Sequence, residues 1–492
     1  MYIVHLASEL SPIAKVGGLG DVTAGLSKAL QSKGENVEVL LPFYDHIHHQ
    51  DLEHLNVEDQ ILSSLNGEPY QNTIWSAKID TIPVLLVESH HKDINFKRGA
   101  IYGEKDDDLR FMSFTRTALE YLLKAKKHPD VLNLHDWLTA LAAPLYHEIY
   151  KALGLKIGTI VTTLHNMFYQ GICHQEKLSY IVRPSESLSM QKKLQDDQKP
   201  NHINLLKGAL LYSDALTTVS PSYAEEIKGK RGHGLGPLLI KKGERFQGIL
   251  NGIDTEYWNP TTDPLLSENY PKHLTSSDEM FVAKKMNRKA LFKKLHMQEV
   301  SAPLFCSITR LVQQKGPEMI RFGIEYILKQ GGQFILIGST SEKEVQEDFQ
   351  ALAEKYMDNP HVHFRFAFDE PLAHLVYAAA DYLLMPSLFE PCGLAQMIAL
   401  RYGTVPIIHK VGGLKDTIFD IDQDCYPIDK RNGYTFEHSS NTDLSVTIDR
   451  VFKDFRDRPQ KGTQMIKNGF NRDWSWKTPA IEYLKVYQNE KD

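Results

Sequence analysis

Residues 15–21, Lys-Val-Gly-Gly-Leu-Gly-Asp, stand between the apolar run Tyr2-Leu6 and the segment Val22-Leu30, whose apolar residues recur at helical spacing. That order reads as strand, glycine loop, helix. Gly17, Gly18 and Gly20 let backbone N–H groups approach a ligand with no Cβ in the way, and the helix start that follows favours negative charge. Lys15 adds a mobile cation, so the loop suits a phosphate or pyrophosphate, although the same residues also fit a turn that merely packs strand on helix. A second set of phosphate-grade residues lies far downstream. Arg310 ends the apolar run Leu304-Ile308 and Lys315 follows five residues on; an arginine forks onto two phosphate oxygens while a lysine acts as a point charge. Further on, Glu390-Pro391-Cys392-Gly393-Leu394 follows the apolar run Tyr382-Met385. Pro391 stops the strand and Gly393 frees the backbone. Glu390 reads either as a site carboxylate or as one placed at a helix N-terminus by the macrodipole alone. No cationic or basic residue adjoins Cys392, which favours a small residue in a crowded turn over a nucleophile.

Such residues need strand ends to hold them. Short apolar runs alternate with helical patterns in both halves, which predicts two α/β domains with doubly wound parallel sheets covered on both faces. Strands are expected at Ile3-Ala7, Val37-Leu41, Val84-Val87, Val131-Leu134, Ile160-Leu164 and Ala215-Val219, then at Leu304-Ile308, Phe334-Ile337, Val362-Phe366, Tyr382-Met385 and Val405-Ile408. The turn signals of Asn251-Pro260 mark the break, giving domains over 1–252 and 253–474. Ser267-Lys289 reads as loop and helix start, Gln191-Lys199 as a surface loop, and Ser475-Gln488 as an amphipathic helix. In open α/β sheets ligands bind beyond the carboxyl ends of the strands, where every residue singled out here lies.

Composition narrows the partners. The 492 residues carry 56 Lys+Arg and 62 Asp+Glu, a net charge of −6, so no basic surplus points to nucleic acid. The four cysteines lack metal-ligand spacing and frame no disulfide scaffold, which suits a reducing compartment. A strand that begins at residue 2, and the lack of an apolar run long enough to span a bilayer, predict a cytoplasmic protein without membrane partners. A homo-oligomer is compatible with the composition.

In this order the blocks resemble the bacterial glycogen synthase and plant starch synthase family, over nearly the whole chain. They are Lys15-Asp21, Leu134-His135-Asp136-Trp137, Leu164-His165-Asn166 with Tyr169-Gln170-Gly171, Asn204-Gly208, Thr218-Pro221, Gly248-Asp254, Arg310/Lys315, Pro386-Ser387, Glu390-Leu394, Gly412-Leu414 with Asp416-Thr417, and Trp474-Trp476. The resemblance implies the GT-B fold, two Rossmann-like domains facing across a cleft, with helix 475–492 returning to the first. It implies retaining transfer of glucose from ADP-glucose to an α-1,4-glucan, with no cofactor and no metal. Arg310 and Lys315 would then hold the diphosphate, helped by Lys15 and the amides of Gly17 and Gly18. Glu390 would hold sugar hydroxyls, with the amides of Cys392, Gly393 and Leu394 on sugar and phosphate. His165 would meet the glucose 6-hydroxyl, with Asn166 beside it and Asn251 on the same sugar. Asp136 would line the acceptor side, Glu9 and Asp21 would brace Lys15 and its loop, and Phe368 would stack on the base. Cations divided between two domains further imply closure on the donor.

Val411, Leu388, Ala395 and Leu138 depart from the family's usual residues, each forfeiting about one hydrogen bond, ~0.5–1.5 kcal/mol net. Ile398 stands where the wider retaining transferases have a second glutamate, as in the glucan synthases. Two other readings remain: a catalytically impaired glucan-binding scaffold of this fold, and a dinucleotide-dependent oxidoreductase. The latter predicts Gly-x-Gly-x-x-Gly and an acidic residue ending the second strand, whereas this chain has Gly-Gly-Leu-Gly and Leu40-Leu41-Pro42.

Overall fold

Parallel strands that are buried on both faces must read as continuous apolar runs, and that pattern builds the centre of both sheets. A computed structural model describes residues 1–271, 277–340, 342–367 and 369–488. The chain divides into two compact units, one of Met1–Gly252 with Trp476–Asp492 and one of Ile253–Ser475.

The first unit holds a nine-stranded sheet of β1 (Tyr2–Leu6), β2 (Asn36–Pro42), β3 (Glu53–Leu65), β4 (Glu68–Ile79), β5 (Ile82–Ser89), β6 (Val131–His135), β7 (Thr159–Leu164), β10 (Ala215–Thr218) and β11 (Phe246–Gly248). Between β7 and β10 the short pair β8 (Ile172–His174) and β9 (His202–Asn204) forms its own hairpin. Spatial order is β11-β10-β7-β6-β1-β2-β5-β4-β3. Every pair from β11 to β5 is parallel, but β4 runs antiparallel to both β5 and β3. The expectation of a wholly parallel sheet is therefore corrected at this edge. Along β3 only Ile61 and Ser63 are buried, so its polar outer face hides the alternation that would announce a strand. A second correction concerns Gln191-Lys199: residues 191–194 form the last turn of the helix Pro184–Leu194, and Leu194 is fully buried.

The second unit's sheet has six parallel strands, β12 (Leu304–Arg310), β13 (Gln333–Ser339), β14 (Val362–Arg365), β15 (Tyr382–Met385), β16 (Val405–His409) and β17 (Tyr434–Phe436), ordered β14-β13-β12-β15-β16-β17. The segment that opens this unit is fastened by a buried carboxylate. Asp263 accepts hydrogen bonds from Tyr402 Oη at 2.6 Å and His374 Nδ1 at 2.7 Å, and Trp258 stacks on His374 at 4.1 Å. Among the described residues no helix is long and apolar enough to cross a membrane.

The last helix, Lys477–Gln488, belongs to the first unit. Trp476, Ala480, Tyr483, Val486 and Tyr487 pack in one cluster with Val22, Leu26 and Leu30 of the helix Gly18–Ser32 and with Ile3, Val37, Val131 and Val161 of four sheet strands. The helix that carries the glycine loop is thus pinned by the chain's closing segment. Gly25 makes the contact possible, because a Cβ there would fall 2.0 Å from Trp476 Nε1. Gly25→Ala should cost ~1–3 kcal/mol through overpacking. Gly462→Ala, at a helical position with open space around it, should be neutral or gain about 0.5–1 kcal/mol. Urea unfolding of both variants checks this, and equal midpoints would show that the Trp476 contact does not constrain the fold.

Candidate active site

The glycine loop is held from beneath by a buried carboxylate. Glu9, 3% exposed, accepts the backbone N–H groups of Val16 at 2.8 Å and Gly17 at 3.0 Å on one oxygen and the Tyr102 hydroxyl at 2.7 Å on the other. The Gly17 amide therefore faces protein, which differs from its expected use on a phosphate. Gly18 opens the helix Gly18–Ser32, whose first turn presents the unpaired donors of any helix start. Lys15 pairs with Asp21 at 2.8 Å, both about one-third exposed (32% and 31%), so the cation stands at the loop's mouth rather than in the core.

At the ends of β6 and β7 a second carboxylate does the same work. Asp136 takes a left-handed conformation, φ 58°, which an Asp tolerates and a β-branched residue would not. There its Oδ1 accepts the amides of His165 at 2.7 Å and Asn166 at 3.3 Å. Burial pushes the Asp136 carboxyl up to about 7; those two amide bonds oppose the rise and Glu9 adds to it. Asn166 in turn accepts the Phe168 amide at 3.1 Å, fixing the turn that follows. The His165 ring is half-buried, yet enough protein surrounds it that its charged form is disfavoured and its pKa falls to about 3. Its Nε2 lies 2.9 Å from Nδ1 of His135.

In the second unit Arg310 ends β12 exposed, and no protein partner for its guanidinium occurs among the described residues. Lys315 Nζ lies 2.5 Å from Glu390 Oε2, which also accepts the Ser387 hydroxyl at 3.0 Å. Both partners are largely buried, with side-chain exposures of 18% and 6%. The two loops lock together because Leu388 donates its amide to the Gln314 carbonyl at 2.9 Å and Gln314 Nε2 reaches the Phe389 carbonyl at 3.3 Å. Gly316 must be glycine: its φ is 67°, and a Cβ would meet the Pro386 carbonyl oxygen at 2.5 Å. Gly412 closes the other side, with φ 45° and a Cβ position 2.0 Å from the Glu390 carbonyl oxygen, and Gly413 donates its amide to that oxygen at 2.9 Å. Cys392 is buried in this crossing at 4% exposure, and Gln396 Nε2 satisfies the carbonyls of Cys392 and Gly393 at 3.1 and 2.9 Å. Leu394 caps the short helix Ala395–Arg401.

Asn251 follows β11, 5% exposed, and its Oδ1 has no hydrogen-bond partner among the described residues. Phe368 lies outside the described residues. Among those described, no group of three or more His, Cys, Asp or Glu side chains is placed to hold a metal ion. The structure adds residues that sequence reasoning left without a role: Ser387 on Glu390, Tyr102 on Glu9, and His5 and His135 behind His165. The signal for the histidines was present, since a histidine inside an otherwise apolar, doubly covered strand such as Ile3-Val4-His5-Leu6 needs a buried partner.

Residues 2–241 match the family described as "Starch synthase catalytic domain", and residues 289–472 match "Glycosyl transferases group 1". The chain is 44% identical to a glycogen synthase of Protochlamydia amoebophila (strain UWE25), covering 99% of each chain. It is 41% identical to the probable starch synthase 4, chloroplastic/amyloplastic, of Arabidopsis thaliana, over 99% of this chain and 47% of that protein. Among solved structures, the catalytic domain of starch synthase IV from Arabidopsis thaliana, bound to ADP and acarbose, superposes with a TM-score of 0.94 at 40% identity and 99% coverage of both chains.

The Asp136 carboxyl yields a test of the loop geometry. Its folded pKa lies above the usual 3.8, so the folded state holds the proton more tightly than the unfolded chain. The stability it contributes is complete below that value and is lost as the pH climbs to about 7. Asp136→Asn keeps the acceptor oxygen for both amides and has no proton to lose. Its melting temperature relative to wild type should rise as the pH goes from about 5 to about 8. A difference that stays flat would mean that the carboxyl ionises normally.

Proposed function

This chain belongs to the glycogen synthase and starch synthase family and is a GT-B glucosyltransferase, and we propose that it elongates α-1,4-glucans from ADP-glucose through the residues assembled above. The observation that carries the assignment of roles is the cluster at the ends of the adjacent strands β12 and β15. Arg310, whose guanidinium has no protein partner among the described residues, ends β12, and five residues on Lys315 is held by the buried Glu390 that follows β15. Two cations suit a diphosphate leaving group, and a carboxylate with an oxygen to spare suits sugar hydroxyls.

In this reading the second unit holds the nucleotide sugar and the first supplies the acceptor side. Arg310 forks onto the diphosphate while Lys315 bridges from Glu390 towards it, so sugar and leaving group are held in one register. Lys15 and the first turn of the helix Gly18–Ser32 add positive potential. His165 and Asn251 meet the glucose hydroxyls, and the unsatisfied Oδ1 of Asn251 supports that role because a buried acceptor without a partner is costly until a donor reaches it. Asp136 acts mainly by holding the His165-Asn166 turn. Cys392, Gly393 and Leu394 shape the turn beneath the sugar, and Phe368 is assigned to the base.

The bond from the anomeric carbon to the diphosphate oxygen breaks as the acceptor hydroxyl oxygen attacks from the same face. The proton of that hydroxyl passes to the departing phosphate, so configuration is retained and no protein nucleophile is needed. The working compartment in this reading is the cytoplasm, with donor and glucan as the partners.

Purified protein given labelled ADP-glucose and glycogen should incorporate label into polymer, and should do so in the presence of a chelator because Arg310 and Lys315 meet the diphosphate charge. Activity abolished by the chelator and restored by magnesium would remove those cations from that role. Glu390→Gln should lower kcat by about a hundredfold or more. ADP affinity should hold or rise, since Lys315 loses its competing carboxylate; a parallel fall in ADP affinity by calorimetry would assign Glu390 to the nucleotide instead.

A further inference from the structure

Three adjacent parallel strands each carry a histidine at the same end of the first sheet: His5 in β1, His135 closing β6 and His165 just after β7. Their rings form a continuous row. His5 Nδ1 is 3.0 Å from His135 Nε2, and His135 Nδ1 is 2.9 Å from His165 Nε2. Ring centroids are 5.2 Å apart at both steps. His5 and His135 are fully buried, and burial drives all three imidazoles to the neutral form. Among the described residues His5 Nε2 has no partner at the inner end, and His165 Nδ1 has none at the outer end.

A neutral imidazole carries one N–H, so two touching neutral rings must share one proton between facing nitrogens. A row of three then has only two self-consistent patterns. In one, each ring holds its proton on Nδ1: His5 donates to His135, His135 donates to His165, and His165 is left with Nδ1–H pointing outward. In the other, every proton sits on Nε2, and His5 must bury an N–H that meets no acceptor. An orphaned buried N–H is the rarer and more costly defect, and an unpaired ring lone pair is the milder one. The tautomer of a histidine is set by the hydrogen bond that its other nitrogen makes.

Resting on the transferase reading above, we propose that His5 and His135 are positioning residues that lock His165 in its Nδ1–H tautomer, making it an obligate hydrogen-bond donor to a hydroxyl oxygen of the glucosyl substrate. The sugar hydroxyl then accepts from His165 and must donate its own proton elsewhere, which fixes its rotamer. Thr139 steadies the middle of the row by accepting from the His135 amide with its hydroxyl oxygen at 2.8 Å while donating to the His135 carbonyl at 3.0 Å.

Long-range proton–nitrogen correlation spectra of the full chain labelled with 15N-histidine read the tautomers directly. The expected result is Nδ1–H for all three rings in the wild type. Nε2–H on His165, or a mixture of tautomers, overturns the proposal. His5→Leu removes the first donor, so His135 and His165 should become mixed and kcat should drop by about tenfold with the KM for ADP-glucose little moved. His5→Asn, whose amide nitrogen sits near the place of Nδ1, should restore both. Unchanged tautomers and kcat in folded His5→Leu contradict the chain, and if that variant does not fold, the wild-type spectrum and His5→Asn still decide. The transfer assay separates this from the parent reading: an inactive wild type with the Nδ1–H pattern overturns the transferase reading alone, whereas an active one with Nε2–H overturns the histidine chain alone.

Discussion

A parallel sheet ends every strand in a loop whose backbone amides have no strand to pair with, and two buried carboxylates meet that constraint here while a third anchors a loop by its own charge. Glu9 takes the amides of Val16 and Gly17, and Asp136 takes those of His165 and Asn166. Glu390 works in the other sense, as the buried charge that Lys315 and Ser387 must satisfy. A buried charge without such partners would cost several kcal/mol, so each carboxylate makes its loop adopt one geometry. In the proposed reading, function draws on the Lys15 ammonium that Asp21 holds at the mouth, the Arg310 guanidinium, the outer nitrogen of His165 and the oxygen of Asn251.

Close backbone crossings set the second unit's part of the geometry. Gly316 lies under the Pro386 carbonyl, and Gly412 and Gly413 lie against Glu390 and Cys392, at distances that no Cβ could share. The strand ends of β12, β15 and β16 are therefore drawn into one compact knot of main chain. Lys315 reaches Glu390 because the loops that carry them already touch at Gln314, Leu388 and Phe389. Replacing a residue on this knot alters more than its own side chain, and in the proposed reading the ion pair thereby couples sugar recognition to phosphate recognition.

What was legible in the sequence follows from the range of each interaction. The central strands announced themselves because both faces are buried, and the glycine loop because its flanks are local. The edge strand β3 stayed hidden because its outer face is polar, and β4 inside it because the polar residues Asn72 and Thr73 stand among its buried positions. The glycine loop and the Arg310/Lys315 pair could be picked out by residue type and spacing and the other candidate residues by resemblance to the family, yet their pairings could not. Glu9 beneath Gly17, Lys315 on Glu390 across 75 residues, and His5 on His135 across 130 arise only when strands far apart in the chain become neighbours. The engagement of the Gly17 amide by Glu9 has the same origin, and it shifts the loop's role from several free amides to a braced turn with one cation.

The central claim is that Arg310 and Lys315 recognise a diphosphate rather than merely decorate a loop. Calorimetric titration of wild type, Arg310→Ala and Lys315→Ala with ADP and with AMP isolates that contribution, because the two ligands differ only in the second phosphate. The account predicts that each variant loses ADP affinity by roughly ten- to a hundredfold while AMP binding changes little. Equal losses for ADP and AMP, or none for either, would contradict it.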